Sequence, residues 1–82
     1  MNNDIALRVK KCIESAVEHE VDDLEYETSL VNDLGMESVN IVMLQVELED
    51  EFNIEFDPLN NDFFEIFRTV GSVCRAIEEL TE

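Results

Sequence analysis

The apolar positions of this chain fall into three stretches of helical period, separated by two stretches that have none. In residues 4–19, Ile5, Val9, Cys12, Ile13 and Ala16 recur at i, i+4, i+7, i+8 and i+11, the spacing of one apolar helix face. Asp4 is the expected N-cap. Residues 38–52 form a second predicted helix, and here the pattern is unusual. Placed at 100° per residue, the apolar side chains occupy two arcs. One holds Ile41, Leu44, Leu48 and Phe52, the other Val39, Val42, Met43 and Val46. Asn40, Glu47 and Glu51 separate the arcs on one side, Gln45 and Glu49 on the other. A helix resting on a core shows a single stripe. Two stripes mean burial on both sides, or one core face and one docking face, and periodicity alone favours burial on both sides. Residues 69–81 form the last helix, with Thr69 as N-cap and Val70, Val73, Ile77 and Leu80 at i, i+3, i+7 and i+10.

The stretches between are irregular. Residues 20–37 form a connection longer than most helix–helix links, and Leu24, Tyr26, Leu30 and Leu34 are expected to pin it to the core. Asp22 and Asp23 could begin a short helical turn. Gly35 marks a turn just before Ser38. In residues 53–68, Pro58 interrupts any helix and N-I-E-F-D-P-L-N-N-D reads as loop. The run F-F-E-I-F at 63–67 gives one or two helical turns, its phenylalanines either plugging the end of a bundle or lining an apolar cleft. The expected fold is therefore all-α: a small four-helix bundle of three main helices and a short third one, with a long first loop. At 82 residues the chain is expected to be one domain, 1–82.

Charge narrows the function. The chain has 21 acidic and 5 basic residues, a net charge of −16. Phosphate contacts need Lys and Arg, so nucleic acid is excluded as a partner, as are anionic membrane surfaces. Partners with basic patches would be found quickly. Three of the 5 basic residues, Arg8, Lys10 and Lys11, lie in the first helix, where they relieve the acidic field. Self-repulsion of this size should be screened by salt. Added NaCl, or millimolar Mg²⁺, should therefore raise the melting temperature; a melting temperature flat across salt would contradict this. M-N-N-D-I at the start has neither the basic nor the apolar part of a signal peptide, and no apolar run reaches membrane-spanning length. The expectation is a cytoplasmic protein without membrane insertion, and a monomer. Cys12 and Cys74 sit within apolar periods and read as core thiols.

Enzymatic constellations are missing. There is no G-x-S-x-G, no glycine-rich phosphate loop, and a single histidine, His19, in a polar stretch where a solvated or helix-capping role suffices. Calcium loops fail on position. A loop begun at Asp33 puts Ser38 at position 6 and Leu44 at 12. One begun at Asp22 puts Glu27 at 6 and Asp33 at 12, and one begun at Asp57 puts Leu59 at 3. What remains is Ser38 at the start of the second helix. A serine there is most often an N-cap, yet its capping-box partner is missing, since the residue three further on is Ile41.

Residues 28–52, T-S-L-V-N-D-L-G-M-E-S-V-N-I-V-M-L-Q-V-E-L-E-D-E-F, resemble the acyl carrier proteins. The likeness rests on S-L-V-N-D-L-G at 29–35, the serine at 38 and L-E-D-E-F at 48–52, and extends weakly over most of the chain. The family's attachment motif is usually Asp-Ser-Leu; here it is Glu37-Ser38-Val39. The resemblance implies that Ser38 carries a covalent 4′-phosphopantetheine derived from coenzyme A, with Glu37 and Val39 flanking it and no catalytic or metal site. It implies a phosphopantetheinyl transferase as one partner. The others are enzymes with basic or apolar docking patches that transfer, elongate or modify acyl thioesters in fatty-acid, lipid or polyketide synthesis. It also implies that Ile41, Leu44, Leu48 and Phe52 face the core, while Val39, Val42, Met43 and Val46 border a docking face flanked by Glu47, Glu49 and Asp50. Met43 stands where members commonly carry an acid, and the 53–66 connection is longer and richer in phenylalanine than usual. Two alternatives stay open: a peptidyl or aminoacyl carrier, and, in a different class, an acidic helical adaptor or weak Ca²⁺ binder whose Ser38 is only a cap.

Overall fold

Four helices are present in the computed structural model, which describes residues 3–22, 24–57 and 63–81. They are α1 (Asn3–Val17), α2 (Ser38–Phe52), α3 (Phe63–Ile66) and α4 (Val70–Thr81). Among the described residues there is no strand, only an isolated bridge between Ser29 and Thr69. The architecture is a small all-α bundle. α1 packs chiefly on α2 and also on α4, and α3 rests on α4. Pro58 and Asp23, the expected helix breaker and turn former, lie outside the described residues; Asp22 is in no helix.

The core follows the predicted periods. Val9, Ile13, Leu44, Leu48, Val73, Cys74 and Ile77 are all fully buried, with Cys12 and Ala16 beside them. Ile41 and Phe52 are half-buried against this cluster. Burial pushes both thiols up to about 11, helped at Cys12 by Glu51 and Glu47 and at Cys74 by Glu78. Both therefore stay protonated at neutral pH, as core thiols do.

The helix ends depart from expectation in instructive ways. Asp4 lies inside the first turn of α1 and is not its cap, which suits a carboxylate near the positive end of the helix. α1 stops two residues early, at Val17, because Glu18 turns left-handed (φ 63°). His19 is solvated, its Nδ1 against the Glu20 carbonyl. α4 is capped as expected. The Ser72 N–H donates to Thr69 Oγ1 (3.1 Å) and the Thr69 N–H to Ser72 Oγ (2.9 Å), a reciprocal cap. Leu80 is exposed, not core, one residue before the helix ends.

The long first loop is held by main chain more than by side chains. Leu30 is buried and Leu24 and Leu34 are half-buried, but Tyr26 is exposed, which corrects the expectation that it enters the core. Its carbonyl does the anchoring. It accepts from the Gly71 N–H (2.8 Å), while the Thr28 carbonyl accepts from the Val70 N–H (3.0 Å). These bonds satisfy donors at the N-terminus of α4 that no helical partner could reach. Gly71 is what permits the approach, since a Cβ there would lie 2.8 Å from the Tyr26 oxygen. Gly71→Ala should therefore destabilise the fold by roughly 1–3 kcal/mol, despite the better helix propensity of alanine. A urea midpoint that stays level or rises would contradict this.

Candidate functional site

The segment leading to Ser38 is a self-capped turn. The Ser29 N–H donates to Asp33 Oδ2 (2.7 Å), the Asn32 N–H to Ser29 Oγ (3.0 Å), and the Asp33 and Leu34 N–H groups to the Ser29 carbonyl. Gly35, left-handed at φ 65°, then reverses the chain so that the Met36 N–H donates back to the Leu30 carbonyl (3.0 Å). Met36 drops into the core as a result. This is the physical content of the S-L-V-N-D-L-G run. It fixes where α2 begins.

α2 is capped one residue earlier than the sequence suggested. Its N-cap is Glu37, in extended backbone, and not Ser38. Asn40 Oδ1 accepts from the Glu37 N–H (2.8 Å), and the Glu37 carboxylate reaches back toward the Asn40 N–H without closing a full hydrogen bond. A capping box is thus present after all, built on Glu37 and Asn40. Asn40 also donates from Nδ2 to the Ala16 carbonyl (3.2 Å), tying the start of α2 to the end of α1. The consequence for Ser38 is direct. It sits at the first helical position, exposed, and its hydroxyl has no hydrogen-bond partner among the described residues. Asn40 carried no role in the sequence reading beyond dividing the two arcs. Its offset of three from Glu37 was the signal that could have found it.

Val39, Val42, Met43 and Val46 are all exposed. The favoured reading from periodicity, burial of α2 on both sides, is therefore wrong: the Leu44 arc is core and the Val39 arc is open to solvent. The acids beyond it differ among themselves. Glu47 and Asp50 are exposed. Glu49, expected to flank the docking face, is half-buried and accepts the Phe56 N–H at Oε2 (2.8 Å). Glu51 accepts from Arg8 through both its carboxylate and its carbonyl (each 2.7 Å), and the Arg8 guanidinium lies 4.3 Å from the Phe52 ring centre.

The phenylalanines are divided between the two roles considered for them. Phe67 is buried edge-on against Phe56 (ring centres 5.2 Å apart), so these two plug the core. Phe63 is half-buried, and Phe64 is 85% exposed. All three of Phe63, Phe64 and Phe67 line a groove of about 830 Å³ that Ser38 also lines, together with Met36, Ile41 and Val42. The groove is mainly apolar, and Arg68 stands among its lining residues. Among the described residues no cluster of His, Cys, Asp or Glu could hold a metal, and no helix is long and apolar enough to cross a membrane.

An exposed hydroxyl at a helix N-terminus, unused by the capping network and on the rim of an apolar groove, suits attachment of a phosphate-linked group. Comparison with family models agrees: residues 7–77 match the family described as phosphopantetheine attachment site.

Proposed function

The chain belongs to the phosphopantetheine attachment site family, and from that premise we propose that Ser38 bears the arm and that the protein carries acyl groups between enzymes. When bound, 4′-phosphopantetheine supplies a thiol at the end of a long tether, where a carboxylic acid is held as a thioester. The observation that carries the assignment to Ser38 is the Glu37–Asn40 cap, which frees the hydroxyl from structural duty. In transfer, Ser38 Oγ attacks the coenzyme A phosphate that bears the pantetheine. An O–P bond forms, the bond to the nucleotide breaks, and the serine proton passes to the transferase. At this position, the N-terminal end of α2, the negative charge of a phosphodiester would be favourable.

The chain's own role is to present and not to catalyse. Partners dock on the exposed α2 face of Val39, Val42, Met43 and Val46, with Glu47 and Asp50 at its far end. Acyl cargo is favoured over peptidyl cargo by the net charge of −16 and by L-G-M-E-S in place of a glycine-rich approach. The protein acts in this reading as a monomeric carrier in the cytoplasm, in fatty-acid or related lipid or polyketide synthesis.

The test is intact mass after incubation with coenzyme A and a broad-range phosphopantetheinyl transferase. Gain of one phosphopantetheinyl group is expected. No gain, under conditions that modify a control carrier, would leave an acidic adaptor or weak Ca²⁺ binder as the better reading. Thiol titration gives an independent count. Cys12 and Cys74 are buried with pKa values pushed up to about 11. The native unloaded chain should therefore react slowly at neutral pH, and loading should add one fast thiol.

A further inference from the structure

We infer that Arg68 makes the groove that Ser38 lines selective for acyl cargo ending in a carboxylate: several methylenes, a thioester to the arm at one end and an ionised acid at the other. This rests on the carrier reading and adds to it the class of cargo. Of the chain's 5 basic residues, Arg8 is committed to Glu51 and Phe52. Lys10 and Arg75 line other depressions, one with Tyr26 and one with Glu79. Among the described residues, Arg68 is the one cation in the lining of the groove. Its side chain is loosely held. The bond from Nη1 to Glu65 Oε2 is long, 3.4 Å, and both side chains are 71% exposed. A pair this exposed contributes little, and most of the guanidinium's N–H donors have no partner among the described residues.

The backbone of Arg68, by contrast, is fixed. Its carbonyl accepts the Leu30 N–H (3.2 Å), and Ser29 bridges Thr69. These bonds bring the turn that holds Ser29 and Asn32, both in the groove lining, against Arg68. The groove thus joins apolar lining from Met36, Ile41, Phe63 and Phe67 to a polar region that carries a cation. A plain hydrocarbon buries apolar surface there but leaves the guanidinium unanswered. A carboxylate at the end of the same chain accepts two parallel N–H bonds from it. The other charges sharpen the choice. At a net charge of −16, a free carboxylate is repelled over most of the surface. Glu37, the acid in the groove lining, adds to that repulsion next to the attachment point. Arg68 is where its sign reverses. The phosphodiester has less need of Arg68, since it sits at the N-terminal end of α2.

The test loads the chain with bare, hexanoyl or hexanedioyl phosphopantetheine, from coenzyme A or its thioesters, by a broad-range phosphopantetheinyl transferase. The two acyl groups match in length and differ in the terminal carboxylate. Melting temperature at low ionic strength and the Arg68 Nε–Hε resonance are measured for each form. The hexanedioyl form should melt about 2–5 °C above the hexanoyl form and shift the Arg68 resonance, which hexanoyl leaves in place. Arg68→Gln should erase the gain or reverse it, and Arg68→Lys should keep less than half. Each variant is compared with itself, so loss of the Glu65 pair cancels. A hexanedioyl form that melts no higher than the hexanoyl form, or a gain that persists in Arg68→Gln, overturns the inference and leaves the carrier reading standing. So does an Arg68 effect already complete with the bare arm, which would assign the guanidinium to the phosphodiester. A chain that accepts none of the groups removes both.

Discussion

Leu44→Ala should lower the unfolding free energy by roughly 2–5 kcal/mol, while Met43→Ala, one residue away, should change it by no more than about 0.5 kcal/mol. Leu44 is fully buried where α2 packs on α1, and Met43 is on the open face of the same helix. Truncating Leu44 removes apolar transfer energy and leaves a cavity that the surrounding side chains fill only partly. For a small helical bundle, whose whole stability is on the order of 5–15 kcal/mol, such a loss is large. Urea unfolding of the two variants reads the difference. Similar midpoints for both would mean that α2 is buried on both sides or on neither, and the separation of core and docking faces would fall.

The second large effect is chemical. Ser38→Ala should abolish phosphopantetheine addition, yet leave the fold within about 0.5 kcal/mol of wild type, because the hydroxyl makes no capping bond. Ser72→Ala is the informative contrast. Ser72 Oγ accepts the Thr69 N–H and lies 2.8 Å from the Ile66 carbonyl, to which it donates. Its loss should cost about 1–2 kcal/mol while loading continues on the folded fraction. Two serines near helix starts would thus exchange roles, one structural and dispensable for chemistry, the other the reverse. If Ser38→Ala melted like Ser72→Ala, Ser38 would be a cap.

Much of this was legible before the structure, and the parts that were not have common causes. α2 and α4 could be bounded closely because each is a run of helically spaced apolar positions, on two arcs in α2 and one in α4, behind a polar start. The loops could not be read so well, since burial there follows no period. Met36 and Phe56 are core residues placed by a left-handed glycine and by a carboxylate, Glu49, that accepts a loop N–H. Tyr26 shows the converse: its segment is fixed by its carbonyl, so its ring need not be buried. Serine is the commoner capping residue, so the sequence points to Ser38 as the cap of α2, whereas the box is built on Glu37 and Asn40, one position earlier. The two arcs of α2 were visible in the sequence, but periodicity reports only that a face is apolar. Whether another element covers it depends on how α1, α3 and α4 are arranged around it.

In the proposed carrier, Ser38 alone bears the arm. The chain has four serines, Ser15, Ser29, Ser38 and Ser72. Ser29 and Ser72 are held in turn and cap hydrogen bonds, whereas Ser15 is exposed on α1. The most direct measurement is fragment mass spectrometry of the chain after exhaustive transfer from coenzyme A, with the added group assigned to a residue. One phosphopantetheinyl group, on Ser38, is expected. A group on Ser15, Ser29 or Ser72, or no group at all, would contradict it.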